Sequence, residues 1–271
     1  MNMETSVIMI GLGFIVGTIG TLIGAGGGFI LVPVLLLLYP SLKPEAVTSI
    51  SLAIVFLNAC SGSYAYARMK RIDYKSAFAF AFATLPGSVI GALSTSYIPK
   101  HIFNIVLSIL LIVIAVYLLI RPKERLTQKK NDKDGATRRI ITDAEGHTYR
   151  YSFNIWTGIV ISFFVGFLSS LLGIGGGIIH VPALTSLLNF PVHIATATSH
   201  FILAIMALAG TIVHIIQGNF KGNWTTTLYI GIGVVGGAQL GALLSHKING
   251  TWIVRSLAVA LLLVGIRIIL S

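Results

Sequence analysis

Polar side chains that could bind a ligand recur inside otherwise apolar stretches of this 271-residue chain. Thr48 and Ser49 have counterparts 150 residues later in Thr198 and Ser199. A polar group in an apolar helix is costly unless it is satisfied, so these positions are candidate contacts for an oxyanion. Bonding of the hydroxyls to their own helix backbone is the alternative. The candidates are Thr48, Ser49, Ser51, Asn58, Thr198, Ser199, His200 and Gln239.

Two glycine clusters supply a second kind of binding group. Residues 24–28 and 173–177 each hold four glycines in five residues, a density that breaks a helix. Helices that restart after them would present unpaired N-terminal amides and positive dipole ends, which together bind an anion without a buried Lys or Arg. Close helix packing is the alternative role. The glycines are Gly24, Gly26, Gly27, Gly28, Gly173, Gly175, Gly176 and Gly177.

Histidines are concentrated in the second half of the chain, at positions 180, 193, 200, 214 and 246. A histidine titrates near neutral pH, so His200, beside Thr198 and Ser199, could couple proton movement to anion movement. No carboxylate or thiol accompanies the histidines, so we expect no metal site. The apolar segments contain no Ser-His-Asp set and no paired carboxylates, and no βαβ unit follows the glycines. We therefore expect neither an enzyme nor a bound cofactor.

The composition requires lipid as the main solvent. The chain is 55% hydrophobic and 10% charged, with a mean hydropathy of +0.89, whereas a soluble domain is roughly a quarter charged. Most of its ten apolar runs approach the ~20 residues that a helix needs to span hydrocarbon. The net charge of +11 lies in short connections between these runs. This pattern is typical of membrane topology and contact with anionic lipid, and we expect no nucleic-acid partner.

The chain contains two copies of one unit. The glycine clusters are followed by Pro33 and Pro182, which are 149 residues apart, and Gly91 matches Gly241 at a spacing of 150. We expect a first transmembrane repeat at residues 5–121, a cytoplasmic linker at 122–153 and a second transmembrane repeat at 154–271. Within the linker, β-prone runs on both sides of residues 143–146, Asp-Ala-Glu-Gly, suggest a small hairpin.

Parity predicts that the copies are inverted. A broken-helix hairpin begins and ends on the same side of the membrane. The three further helices give each copy an odd number of additional crossings, so the second copy starts on the opposite side from the first. Loop charge agrees: residues 68–75 hold four basic residues, whereas the counterpart loop 217–224 holds only Lys221. The basic loop should be cytoplasmic, on the same side as the linker. The expected fold is an all-α polytopic membrane protein with two inverted repeats, each a glycine-broken, re-entrant-like helical hairpin plus three transmembrane helices.

The two GxGGG-x4-Pro segments, the Thr-Ser pairs and the central hydrophilic loop resemble the TauE/SafE family of sulfite exporters over nearly the whole chain. This resemblance implies transport of small sulfur-containing or carboxylate anions, such as sulfite, sulfonates or sulfoacetate, across the bacterial cytoplasmic (inner) membrane. By position it assigns the motif to the eight glycines named above and to Pro33 and Pro182. The position of Ser51 in the first repeat is occupied by Phe201 in the second, so the two halves need not contribute equally to binding.

We therefore expect a secondary transporter of a small anion that works by alternating access, with protons as a candidate coupling ion. An anion channel and a non-transporting membrane scaffold or sensor are the alternatives. The expected partners are the anion and membrane lipid. The sequence leaves open which anion moves, in which direction, with which coupling ion and as what oligomer, a homo-oligomer included.

Overall fold

The computed structural model describes residues 3–120, 137–245 and 251–269. The charged first half of the linker and His246 lie outside these residues. The first repeat comprises α1 (Met3–Ile23), α2 (Gly28–Leu38), α3 (Pro44–Arg68), α4 (Tyr74–Thr95) and α5 (Lys100–Ile120). Two strands follow, β1 (Thr137–Thr142) and β2 (Thr148–Phe153). The second repeat comprises α6 (Ile155–Leu172), α7 (Gly177–Ser186), α8 (Val192–Ile216), α9 (Trp224–Leu244) and α10 (Thr251–Ile269).

Seven helices of the described part are long and apolar enough to cross a membrane, and α2 and α7 are the shorter apolar ones. Large apolar side chains cover the outside, among them Phe82, Phe164 and Ile216, which are more than half exposed. An exposed apolar surface of this extent is suited to lipid. The predicted all-α polytopic membrane protein is confirmed.

Both broken helices break at their glycines. α1 ends at Ile23 and the chain then takes positive φ at Gly24 (81°), Gly26 (78°) and Gly27 (82°) before α2 begins. In the second repeat Gly173 (69°) and Gly175 (71°) have the same conformation between α6 and α7. Residues with a Cβ rarely adopt these angles, so the turns require glycine. We call residues 24–28 the first glycine turn and residues 173–177 the second.

Helices of one repeat pack along helices of the other repeat. α1 packs along α9 of the other repeat, and the equivalent pair α6 and α4 packs in the same way. A Cβ on Gly13 would lie 2.1 Å from the carbonyl oxygen of Ile230, and one on Gly17 would lie 2.5 Å from that of Val234. From the first contact to the second, the position rises by four residues along both α1 and α9. The two helices therefore run parallel, with their backbones in contact.

α3 and α8, which are equivalent helices, pack against each other at the centre. Gly62 lies against His200, Gly210 against Leu52, and the Thr48 hydroxyl is 3.4 Å from Nε2 of His214. Contact positions rise along α3 while they fall along α8, so the two helices run antiparallel. α5 packs against α10, α4 against α8 and α3 against α9.

The strands pair as an antiparallel hairpin with Thr137 opposite Phe153 and Thr142 opposite Thr148. This hairpin lies on the α3–α4 loop, where the amide of Ala144 donates to the carbonyl of Met69 (3.0 Å). The linker and the basic loop are therefore at the same end of the protein. β2 leads directly into α6, whose first amides are capped by the Asn154 side chain (2.9 and 3.3 Å).

Close backbone packing predicts a position-specific cost of adding one methyl group. In Gly237→Ala the new Cβ would lie 2.1 Å from the carbonyl oxygen of Phe14, so α1 and α9 must separate. We expect a loss of about 1–3 kcal/mol and a lower midpoint of thermal unfolding in detergent. The matched control is Gly236→Ala, whose Cβ would have its nearest neighbour at 3.7 Å and should change stability by less than about 0.5 kcal/mol. Equal midpoints for the two variants would contradict this packing.

Candidate functional site

The two glycine turns meet in the interior of the protein. Every residue of 24–28 and 173–177 is buried. A Cβ on Gly28 would lie 2.6 Å from the carbonyl oxygen of Gly173, and one on Gly177 would lie 2.1 Å from that of Gly24. Each short helix therefore begins against the carbonyl end of the opposite turn. Contact this close needs glycine in both repeats.

The starts of α2 and α7 present backbone donors. Hydrogen bonding of the helical kind begins in α2 with the amide of Ile30 on the carbonyl of Gly27 (3.1 Å), and in α7 with Ile179 on Gly176 (3.1 Å). The amides before these have no intrahelical acceptor, as at any helix N-terminus, and the positive end of the helix dipole lies there. Two such ends point into one buried region, which is the arrangement that favours an anion.

An unpartnered side-chain donor lies beside each helix start. A Cβ on Gly20 would lie 2.4 Å from the backbone nitrogen of Gly27 and 3.0 Å from Nδ2 of Asn58. A Cβ on Gly176 would lie 3.4 Å from Oγ of Ser169. Asn58 and Ser169 are fully buried, and Asn58 Nδ2 and Ser169 Oγ have no hydrogen-bond partner. Other buried hydroxyls of the described part, those of Ser63 and Ser108, also lack a partner, so it is the position of Asn58 and Ser169 beside the helix starts that suggests a place for a ligand.

A polar network surrounds the first of these donors. The Thr21 hydroxyl donates to Oδ1 of Asn58 (2.9 Å) and lies 3.3 Å from Nε2 of His200. The Tyr66 hydroxyl donates to the carbonyl of Thr21 (2.8 Å), and its ring meets the His200 ring edge-on. This network fixes the orientation of Asn58 so that its amide nitrogen stays free. It also places His200, a predicted site residue, one side chain away from the first glycine turn.

Two predicted serines complete the contact between the turns. The Ser51 hydroxyl donates to the carbonyl of Gly173 (2.5 Å), and that of Ser199 donates to the carbonyl of Gly24 (3.3 Å). The last carbonyls of a helix lack partners, so each serine caps the C-terminal end of the long helix in the opposite repeat. Ser51 and Ser199 therefore contact the turns by donating to the turn carbonyls.

Thr48 and Ser49 lie near the second glycine turn and bond their own helix, and each has one further partner at the C-terminal end of α8, His214 Nε2 for Thr48 (3.4 Å) and the carbonyl of Asn219 for Ser49 (3.3 Å). A Cβ on Gly173 would lie 2.9 Å from the Cα of Thr48, while the Thr48 hydroxyl donates to the carbonyl of Pro44 (3.0 Å). The Ser49 hydroxyl donates to the carbonyl of Ala46 (2.8 Å). For these two hydroxyls the helix-backbone alternative describes what is observed.

Thr198 and Gln239 have partners outside the turns. The Thr198 hydroxyl accepts from the backbone amide of Asp73 in the α3–α4 loop (3.1 Å). Gln239 donates to the carbonyl and the hydroxyl of Ser61 on α3 (both 2.8 Å). The structure therefore brings the glycines, Ser51, Asn58, Ser199 and His200 together, and it leaves these two at other helix contacts.

Sequence reasoning missed Ser169, Thr21 and Tyr66. Ser169 occupies the position of Gly20 in the repeat, and Thr21 matches Ser170 one residue later. A comparison of the polar residues that directly precede each glycine turn could have found the first two. The atoms nearest to a Cβ added at the glycines of the two turns belong to Thr, Val, Leu, Ile, Ser, Ala or glycine residues, without an acidic or basic side chain among them.

Several known proteins are similar to this chain along most of its length. The probable membrane transporter protein YunE of Bacillus subtilis (strain 168) is 36% identical over 269 residues, which cover 97% of both chains. The probable membrane transporter protein MJ0441 of Methanocaldococcus jannaschii is 28% identical and covers 89% of this chain and 87% of its own. A probable membrane transporter protein of Xylella fastidiosa (strain Temecula1) is 24% identical, covering 93% and 89%. No solved structure matched.

The family described as sulfite exporter TauE/SafE matches residues 9–268, which include both glycine turns and the hairpin between the repeats. Taken with the YunE similarity, this confirms the resemblance read from the duplicated glycine motif. The chain belongs to the TauE/SafE sulfite exporter family of membrane transporters.

Proposed function

We propose that this membrane transporter is a secondary transporter of small oxyanions, such as sulfite, sulfonates or sulfoacetate, and that the anion binds between the two glycine turns. The observation that carries the proposal is the pairing of two buried helix starts with two unpartnered donors, Asn58 Nδ2 and Ser169 Oγ. Backbone amides, an amide side chain and a hydroxyl together would replace the hydration of an anion without a fixed cation. The family's description as sulfite exporters supports the same class of substrate.

The proposal includes inverted repeats. Its support is the direction of the packed helices: α3 and α8 are equivalent and antiparallel, whereas α1 is parallel to α9 rather than to its equivalent α6. An inverted pair would place the two helix starts symmetrically about one central site, as in other transporters built from broken helices.

Alternating access is favoured over a continuous pore by the contact between the turns. Both turns are buried, and each touches the carbonyl end of the other, so this conformation holds the site closed. An anion would reach the free donors when the turns separate, and movement of one repeat against the other would open the two sides in turn.

His200, bonded to Thr21 beside the first turn, is the proposed carrier of a coupled proton. We place the protein in a bacterial cytoplasmic membrane.

Transport by purified protein in liposomes tests the function. Uptake of labelled sulfite is expected to saturate with concentration, and a pH gradient should change its rate if His200 carries a proton. Competition by a sulfonate should reduce sulfite uptake, because the donors recognise the oxyanion group. No protein-dependent flux for sulfite, sulfonates or carboxylates would disprove the function. Flux that rises linearly without saturation would assign a channel instead.

Removing a free donor is expected to weaken substrate binding without lowering the stability of the protein. Ser169→Ala removes a buried hydroxyl that has no partner, so the midpoint of thermal unfolding without substrate should stay the same or rise. The same change removes a hydrogen bond to a bound anion, a bond of about 1.5–3 kcal/mol, so KM should rise about tenfold or more. Asn58→Leu places in the first repeat the residue type that the second has at Leu208, and it should raise KM similarly.

Ser94→Ala is the matched control, because the Ser94 hydroxyl bonds its own helix at Ile90 (2.7 Å) on an exposed face. It should leave transport unchanged. An unaltered KM in both Ser169→Ala and Asn58→Leu would exclude these donors from the site. A large loss of stability in Ser169→Ala would show that its hydroxyl has a structural partner.

A further inference from the structure

Two buried ion pairs of opposite polarity join the hairpin to the α3–α4 loop, and Nη2 of Arg71 also lies 3.7 Å from Oε1 of the exposed Glu145 in the hairpin. Nη2 of Arg71 in the loop lies 3.5 Å from Oδ2 of Asp143 in the hairpin, and Nε of Arg139 in the hairpin lies 3.4 Å from Oδ2 of Asp73 in the loop. Three of these side chains are at most 4% exposed, and Arg139 is 23% exposed. In these two pairs the hairpin and the loop each contribute one acidic and one basic side chain. Such a reciprocal set fixes position, because removing one member leaves a buried charge unpaired.

The hairpin is anchored to the second repeat. β2 is separated from α6 by Asn154 alone. Tyr151 and Phe153 of β2 pack on Phe190 of the α7–α8 loop, with ring centroids 4.5 and 4.9 Å apart. The Asn189 side chain donates to the carbonyl of Ser152 (3.4 Å). The two ion pairs therefore tie the first repeat to the second.

Asp73 connects this junction to the candidate site. Its carboxylate accepts from Tyr151 of the hairpin (2.8 Å) and from the amide of Ser76 at the start of α4 (3.2 Å). Its own amide donates to Thr198 on α8 (3.1 Å), and the next residue, Ser199, donates to the carbonyl of Gly24 (3.3 Å). A short chain of bonds thus runs from the hairpin to the first glycine turn.

We propose that Arg71, Asp73, Arg139 and Asp143 form a clasp that holds the two repeats together at the linker end and must release before the site opens to that side. The inference rests on the proposed alternating access. It explains why a polar hairpin, exposed over much of its length, is anchored through buried charges. It also accounts for Thr198, whose hydroxyl serves the clasp rather than the anion.

The Asp143 carboxylate of the clasp stays ionised in the neutral pH range. Burial disfavours the Asp143 carboxylate, but the amides of His147 and Glu145 and the guanidinium of Arg71 outweigh it, and its pKa lies below the usual value. The carboxylate therefore stays ionised above that pKa, and the ion pair is lost only as the pH falls through it. Glu145, His147 and Tyr149 are the other titratable groups that face Asp143. Release has to come from movement of the repeats.

Chemical labelling from the linker side tests the clasp without measuring transport. Cys60→Ser removes the single native cysteine, and Ser199→Cys then places a buried reporter beside the first glycine turn. Asp143→Asn breaks one ion pair and should speed labelling by a membrane-impermeant maleimide by about tenfold or more, because the open population rises. The charge swap Arg71→Asp with Asp143→Arg should return the rate towards that of the parent. Arg150→Ala, at an exposed hairpin position, is the control and should label like the parent.

A disulfide provides the converse measurement. Met69→Cys with Ala144→Cys, added to Cys60→Ser alone, should form a bond across the clasp, because the backbones there are joined by a hydrogen bond of 3.0 Å. Oxidation should stop sulfite flux in liposomes, and a reductant should restore it. Unchanged labelling in a folded Asp143→Asn variant, or unchanged flux in the oxidised pair, would overturn the clasp. Absence of flux in every variant, with labelling as expected, would retain the clasp and overturn the proposed function.

Discussion

The structure depends on contact between two unwound backbone segments in the interior of a membrane protein. Peptide groups that leave a helix in an apolar medium need partners, and lipid supplies none. Here the amides of Gly24, Ala25 and Gly26 bond carbonyls of their own helix α1. The carbonyls of Gly173 and Gly24 have partners from the opposite repeat, the hydroxyls of Ser51 and Ser199. A side chain on Gly28 or Gly177 would overlap the other turn. Each repeat is therefore incomplete without the other, and duplication of the unit is a structural requirement.

The surrounding helices satisfy the carbonyl ends of the turns and leave donors free at the helix starts. Glycines along α1 with α9, and along α4 with α6, bring the backbones of these parallel helices into contact. The antiparallel pair α3 and α8 lies between them and carries both capping serines. Under the proposed function, sliding at this central pair would separate the turns and expose Asn58 and Ser169. The clasp at the linker end would then set when that separation reaches one side of the membrane.

The sequence was sufficient for the fold class because its signals are local. Apolar length predicted the helices, and glycine density predicted the breaks within one residue of where α2 and α7 begin. The positive φ angles at Gly24 and Gly173 explain this accuracy, since only glycine adopts them readily. Loop charge predicts that the linker and the basic loop lie on the same side of the membrane, and in the structure the hairpin part of the linker contacts that loop through Arg71 and Asp143.

The site was less predictable because it depends on helix phase and on packing between repeats. Thr198 and Ser199 were treated as a pair, yet successive residues of a helix point in different directions, so Ser199 reaches Gly24 while Thr198 faces Asp73. Ser169 is marked in the sequence only as a polar residue shortly before the second glycine turn, and its lack of a hydrogen-bond partner is seen only in the folded protein. Gln239 is a candidate as an amide in an apolar helix, but its side chain donates to Ser61 on α3. None of these outcomes follows from residue type and spacing alone.

The most direct test of the account is to locate an anion in the protein. Selenite is a heavier oxyanion of the same shape as sulfite, and selenium gives an anomalous scattering signal in crystals. The account predicts one peak between the glycine turns, within hydrogen-bond distance of the α2 and α7 amides, Asn58 Nδ2 and Ser169 Oγ. A peak at another place, obtained with selenite that competes with sulfite in liposomes, would contradict binding at the glycine turns.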